Sequence, residues 1–123
     1  MARRGRSTRM RRVDTALRQV LAEAVGRELA DPRLGFLTIT RAEATQDLRE
    51  ATVWYTCLDR DREAAQDALE SARGVLQARV AAELRGRNTP QLRFRYDQAQ
   101  EDAVRLSRLI DEVTTREDEG GDD

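Results

Sequence analysis

Between Arg62 and Leu84 the chain keeps one rhythm. Ala65, Leu69, Ala72, Leu76, Val80 and Leu84 recur every three or four residues among polar neighbours, the period of an amphipathic helix with a single buried side. Gly74 falls opposite that stripe, where a glycine costs about 1 kcal/mol relative to alanine and no core packing offsets it. Two readings fit. One is a single long helix that tolerates its glycine; the other is a pair of helices meeting at a kink at Ala72-Arg73-Gly74, where bare backbone lets something approach closely.

The rest of the pattern alternates between helical and strand periods. Val13, Leu17, Val20, Leu21, Ala24 and Val25 form the apolar face of a helix expected over about Met10 to Ala30. Asp31-Pro32-Arg33-Leu34-Gly35 ends it, because proline holds the residue before it extended and glycine suits a tight turn. Strict alternation then predicts two strands, Phe36 to Thr45 and Glu50 to Leu58, joined through Gln46-Asp47-Leu48-Arg49 as a hairpin. Ala51, Val53, Tyr55 and Cys57 share one side of the second strand, with Thr52, Trp54 and Thr56 on the other. After the segment Arg85 to Pro90, Leu92, Phe94 and Tyr96 alternate with Arg93 and Arg95 in a third strand. A last helix runs from about Gln98 to Thr115, with Ala103, Leu106, Leu109, Ile110 and Val113 as its apolar side. The order is helix, strand, strand, helix, kink, helix, strand, helix: an α+β domain whose thin aliphatic core suits one small sheet backed by helices.

Composition narrows the chemistry. Histidine is absent and Cys57 is the single cysteine, which removes internal disulfides, histidine acid–base chemistry and the usual zinc sites. No apolar run reaches the length of a membrane span, and a cytoplasmic protein with no cofactor or metal is expected. The 123 residues carry a net charge of −1, but that figure conceals an asymmetry. Without the five acids of residues 117–123, the remainder holds 18 acidic against 22 basic residues, every one of them arginine. Residues 1–8 read as a disordered basic arm, residues 9–116 as the domain, and residues 117–123 as a disordered acidic tail. Arginines at the start of the first helix oppose its dipole; either they form a screened, solvated end or they serve a ligand.

A helix–turn–helix unit between strands is the layout of KH-type RNA-binding domains, in which a GxxG loop grips the nucleotide backbone. The junction here is Ala72-Arg73-Gly74 instead. Three further segments stand in order around it: Asp31-Pro32-Arg33-Leu34-Gly35 leading to Leu37-Thr38-Ile39-Thr40, Asp47-Leu48 before Ala51-Thr52-Val53, and Arg87 to Pro90 before Leu92, Phe94, Tyr96 and Asp97. With these the chain resembles the bacterial ribosome-binding factor A family over roughly Met10 to Val113, a family that replaces GxxG by AxG. The resemblance implies a type II KH-like domain that is not an enzyme. It implies binding to 16S rRNA and to immature 30S ribosomal subunits, support for late maturation and 5′-end processing of the rRNA, a need felt most in the cold, and release helped by an assembly GTPase.

The residues expected at an RNA surface are Arg9, Arg11 and Arg12 before the first helix face, Ala72, Arg73, Gly74 and Arg79 around the kink, and Arg85 and Arg87 after it, since RNA affinity needs a cationic footprint. Arg73 and Arg79 are assigned phosphate contact, Gly74 close backbone approach and Ala72 tight helix packing; the competing role for Arg79 is an ion pair with Glu83. Trp54, Arg93 and Arg95 either meet RNA or only cover an exposed sheet face. Asp31 and Asp97 read as turn and capping residues, and Cys57 as a small core residue. The alternatives are a magnesium-dependent ribonuclease using Asp31, Asp47, Asp59 and Asp97, and a module that binds only protein through a strand edge. No strong interface stripe is evident, so a monomer is expected.

Overall fold

Ser7 starts the first helix. Its hydroxyl oxygen accepts from the Met10 backbone N–H at 3.1 Å, filling the place an N-cap must fill because the first turn has no intrahelical acceptor. The computed structural model describes residues 6–28, 31–34, 37–57, 61–85 and 88–120. In it α1 spans Thr8–Glu23 and continues as a π-helical turn, Ala24–Glu28. The helix therefore begins two residues earlier than the apolar pattern alone indicates, and its last stretch, expected to be α-helical, widens around Gly26. Arg6, placed in the arm by composition, belongs to the folded unit: it donates to both carboxylate oxygens of Asp14 and to the Ala44 carbonyl, while Asp14 accepts from the Ala44 N–H at 2.9 Å. Residues 1–5 of the expected arm lie outside the described residues.

Pro32–Leu34 form a short 3-10 turn that drops Leu34 into the core. β1 (Thr38–Ala44) and β2 (Glu50–Thr56) pair antiparallel. The turn between them places Leu48 at φ 58°, a left-handed conformation that favours glycine or asparagine; here the leucine side chain is buried in the core, and that burial offsets the strain. Two helices follow, α2 (Arg62–Ser71) and α3 (Arg73–Leu84), and then β3 (Gln91–Tyr96), which runs parallel to β2. A parallel neighbour cannot be reached by a hairpin, so the helix pair serves as the crossover. The sheet order is β1-β2-β3.

The kink reading holds. Ala72 alone leaves the helical path, at φ −87° and ψ −1°, and hydrogen bonds bridge it on both sides, Ala72 N–H to Ala68 O and Leu76 N–H to Ala72 O, each 3.0 Å. The stripe survives across the break, with Ala65, Ala68, Leu69, Leu76, Val80 and Leu84 all buried. Helices α1, α2 and α3 cover the sheet face that carries Ile39, Ala42, Ala51, Val53, Tyr55, Leu92 and Phe94. Cys57 is buried there too, as expected of a small core residue.

α4 (Gln98–Gly120) extends five residues past the expected end at Thr115, into the acidic stretch expected to be disordered. No proline or glycine interrupts the chain before Gly120, so nothing local stops it. Its apolar side is not part of the core. Leu106, Leu109, Ile110 and Val113 are 58, 55, 54 and 46% exposed. The helix is held mainly by its first turn: Asp97 accepts from the Gln100 N–H at 2.9 Å and from the Thr40 hydroxyl at 2.6 Å, and the Tyr96 hydroxyl donates to the buried carboxylate of Glu101.

Candidate nucleic-acid interface

The first turns of α1 pack beside the end of α3. This brings Arg9 and Arg12 of α1 together with Arg85 around an open cleft of about 600 Å³, floored by Val13, Ala16 and Leu84 and with Glu83 on its wall. Three of the arginines selected by sequence, drawn from the two ends of the helical layer, thus share one surface. All three are exposed. Arg85 reaches this place at a cost: it caps α3 at φ 45° and ψ 70°, its N–H donating to Ala81 O at 3.2 Å. Glycine is the residue that adopts this conformation freely at a helix end. Arg11 lines a neighbouring shallow groove with Thr8, Arg12 and Thr15. Arg87 lies outside the described residues.

The kink forms a second patch at the other end of α3, about 18 Å away by helical rise. Gly74 is exposed, and a Cβ built on it would meet nothing within 4 Å. No contact inside the domain requires glycine here. Ala72 is half-buried and packs against the core, in keeping with the tight helix packing assigned to it.

Arg73 does not point freely into solvent. Its guanidinium donates through Nη1 to the Leu92 carbonyl, pairs through Nη2 with Glu70 at 2.5 Å, and lies 5.3 Å from the centre of the Phe94 ring. It belongs to a set that sequence reading missed. β3 is an edge strand, and an edge leaves backbone groups open to another chain. Here Gln66 donates to Phe94 O at 3.3 Å, Gln77 donates to Pro90 O at 3.0 Å, and the Leu92 N–H donates to the Gln77 amide oxygen at 2.8 Å. Side chains of α2 and α3 complete the edge in place of a fourth strand. The available signal was modest: two glutamines bordering the apolar stripe of a helix pair, each with one polar end and a stem long enough to reach a strand. Arg79 is half-buried on α3.

Among the described residues, the acids of the nuclease alternative are engaged in turn and capping bonds. Asp31 pairs with the Arg33 guanidinium at 2.7 Å and accepts from the Arg33 backbone N–H at 2.9 Å, and these bonds, the side-chain one first, hold its carboxyl below the usual range. Asp47 accepts from the Thr45 hydroxyl at 2.8 Å and the Arg49 N–H at 3.1 Å, with the same effect on its carboxyl. Asp97 caps α4. Asp59 lies outside the described residues. Among the described residues no group of three acidic, cysteine or histidine side chains is placed to hold a metal ion, and no helix is long and apolar enough to cross a membrane.

On the open side of the sheet Trp54 is half-buried beneath Arg41, whose guanidinium carbon lies 3.8 Å from the ring centre. Phe94 is buried and Tyr96 half-buried on the helix-covered side, as core packing predicts, and Tyr96 meets Tyr55 edge to face at 5.4 Å.

Comparison with known proteins agrees with this architecture. The family model for ribosome-binding factor A matches residues 9–110. Ribosome-binding factor A of Neisseria meningitidis serogroup B is 43% identical over 106 residues, covering 85% of this chain and 86% of that one. The crystal structure of ribosome-binding factor A from Thermus thermophilus superposes with a TM-score of 0.65 at 31% identity, over 71% of this chain and 94% of that chain. A homology model of the Thermus thermophilus factor, as fitted into the cryo-electron-microscopy map of a 30S–RbfA complex, superposes with a TM-score of 0.59 at 33% identity, over 69 and 91% of the two chains.

Proposed function

From the premise that this chain belongs to the ribosome-binding factor A family, we propose that it is a cytoplasmic assembly factor of the small ribosomal subunit. It binds immature 30S particles through 16S rRNA, supports late maturation and 5′-end processing of that RNA without catalysing a reaction, and leaves with the help of an assembly GTPase. The observation that carries the reading is the cleft. Arg9, Arg12 and Arg85 converge on an apolar floor, an arrangement in which guanidinium forks take phosphate oxygens and the floor takes the flat face of a sugar or base. The exposed backbone of Gly74 at the far end of α3 gives a second point at which a phosphate can come close. The place of the Thermus thermophilus relative in a 30S complex supports the same reading.

The test uses the full chain and immature 30S particles, with Arg9, Arg12 and Arg85 each changed to glutamine. Co-sedimentation should fall, and the slope of log affinity against log salt should become shallower by about 0.7–0.9 for each phosphate that is no longer neutralised, because fewer counterions are released. Undiminished co-sedimentation would turn the reading toward a module that binds protein alone. Cleavage of precursor rRNA by the purified chain with magnesium would restore the nuclease alternative.

A further inference from the structure

We propose that the uncovered face of the sheet is a second RNA contact, a stacking platform for an unpaired segment centred on Trp54. The proposal rests on the reading that the chain binds ribosomal RNA, and places on the domain a surface separate from the α1–α3 cleft.

The register makes the platform. Trp54 in the central strand lies between Arg41 of β1 and Arg95 of β3, so one row across the sheet reads Arg–Trp–Arg. The next row reads Glu43–Thr52–Arg93. Arg41 takes its place through an irregularity. The pairing shifts between Ile39 and Arg41, leaving Thr40 as an extra residue. Without that bulge Thr40 would face Trp54, and Arg41 would face Val53 on the core side. A bulge that re-aims one side chain is a recurrent device beside functional surfaces, and here it keeps Ile39 in the core while setting a guanidinium over the indole.

The domain satisfies that guanidinium only in part, through its stack on Trp54 at 3.8 Å. The Nη1 of Arg41 pairs with Glu43 at 3.7 Å, but the buried Nε has no hydrogen-bond partner among the described residues. A desolvated donor without a partner works against stability, so at this nitrogen the arrangement breaks a local rule. Arg95 is exposed and forms no ion pair among the described residues, whereas Arg93 pairs with Glu50 at 2.5 Å.

The chemistry of the face selects the partner. Beside the indole stand guanidinium planes, threonines and two glutamates, and this side of the rows holds no leucine, isoleucine, valine or methionine. A protein interface needs a dry apolar centre, which is missing. An unpaired base needs a flat π or guanidinium surface and a cation for its phosphate, and both are present: the outer plane of Arg41 over Trp54 for the base, Arg95 for the phosphate. Because every base has a flat face, the platform accepts unpaired RNA of any sequence.

Trp54 is the chain's single tryptophan, so its fluorescence reports on this face alone. The full chain is titrated with a mixed-sequence, unstructured RNA of ten nucleotides, binding being followed in parallel by the anisotropy of a label on the RNA. Trp54 emission should be quenched along the same curve as the anisotropy, and R41A combined with R95E should abolish the quench and weaken binding by about fivefold to tenfold. R95E alone changes only an exposed side chain and should weaken binding without altering the fold seen by circular dichroism. Binding that leaves Trp54 emission unchanged would overturn the proposal, as would failure of the RNA to bind. So would a Trp54 response to ribosomal proteins in place of RNA. The cleft is tested separately: glutamine at 9, 12 and 85 should reduce 30S co-sedimentation while leaving the quench amplitude at saturating RNA intact, so either surface can fail without the other.

Discussion

Arg73 donates to the backbone carbonyl of Leu92, fastening the junction of α2 and α3 to the outer edge of β3. With Gln66 and Gln77 it closes an edge that would otherwise offer unpaired backbone groups to a passing strand. The kink and the sheet edge are therefore one construction, and a substitution at Arg73 touches both.

Gln77→Ala should cost about 1–3 kcal/mol, since it strips partners from both the Leu92 N–H and the Pro90 carbonyl at a part-buried edge. Urea unfolding measures the loss, and light scattering should show a greater tendency to associate through β3. Arg73→Ala should lower stability and ribosome binding together, whereas Arg12→Gln, at an exposed position, should lower binding alone. Equal stability of wild type and Gln77→Ala would remove the edge-closing role.

Gly74→Ala should stabilise the isolated domain by about 0.4–1 kcal/mol, because alanine gains helix propensity and reduces the freedom of the unfolded chain while its Cβ meets nothing within 4 Å. The same methyl group should reduce retention on 30S particles if RNA approaches this backbone. Denaturant midpoints and co-sedimentation of one variant separate the two effects.

Arg85→Gly should likewise raise stability, by about 0.5–1 kcal/mol, by relieving the left-handed conformation at the end of α3. It removes one cation from the cleft, so affinity for 30S particles should fall and its salt dependence should flatten. A variant that loses stability would show that the Arg85 side chain, and not the backbone conformation, dominates this cap.

Tyr96 and Glu101 give the domain sensitivity at both ends of the pH scale. The hydrogen bond from Tyr96, followed by that from Gln98 and by the positive charges of Arg105 and Arg62, holds the Glu101 carboxyl below its usual range, while burial first and the Glu101 hydrogen bond second push the Tyr96 hydroxyl up to about 12. The folded state therefore favours ionised Glu101 and neutral Tyr96. The first contribution is complete above the unfolded carboxyl value of about 4.3 and is lost as pH falls through the folded value; the second is complete below about 10 and is lost as pH rises toward 12. Melting temperatures across pH should fall at both extremes, and Tyr96→Phe should reduce the alkaline fall, to which the burial-raised Tyr55 and Cys57 also contribute, and weaken the acid one.

Changing Leu106 and Ile110 together to glutamine should leave the melting temperature nearly unchanged, within about 0.5 kcal/mol of stability, because both are more than half exposed on α4. A large destabilisation would mean that this side of α4 is covered in solution.

By itself, the sequence determined the kind and order of the elements. The period of apolar residues marks each helix and strand, Asp31-Pro32 and Arg85 to Pro90 interrupt the pattern, and an exposed Gly74 disfavours an unbroken helix; these are local signals, carried by residues a few positions apart. Tertiary structure decided what those residues touch. Arg6, Arg73 and Arg9 read alike along the chain, yet the first is bound to Asp14 and Ala44, the second to Leu92 and Glu70, and the third lines an open cleft. The bulge at Thr40 sets Arg41 on Trp54, and the parallel pairing of β3 brings Arg95 to the same row. Such pairings depend on register and crossover, which join positions tens of residues apart and leave little trace in local periodicity, since a shift of one residue exchanges the two faces of a strand.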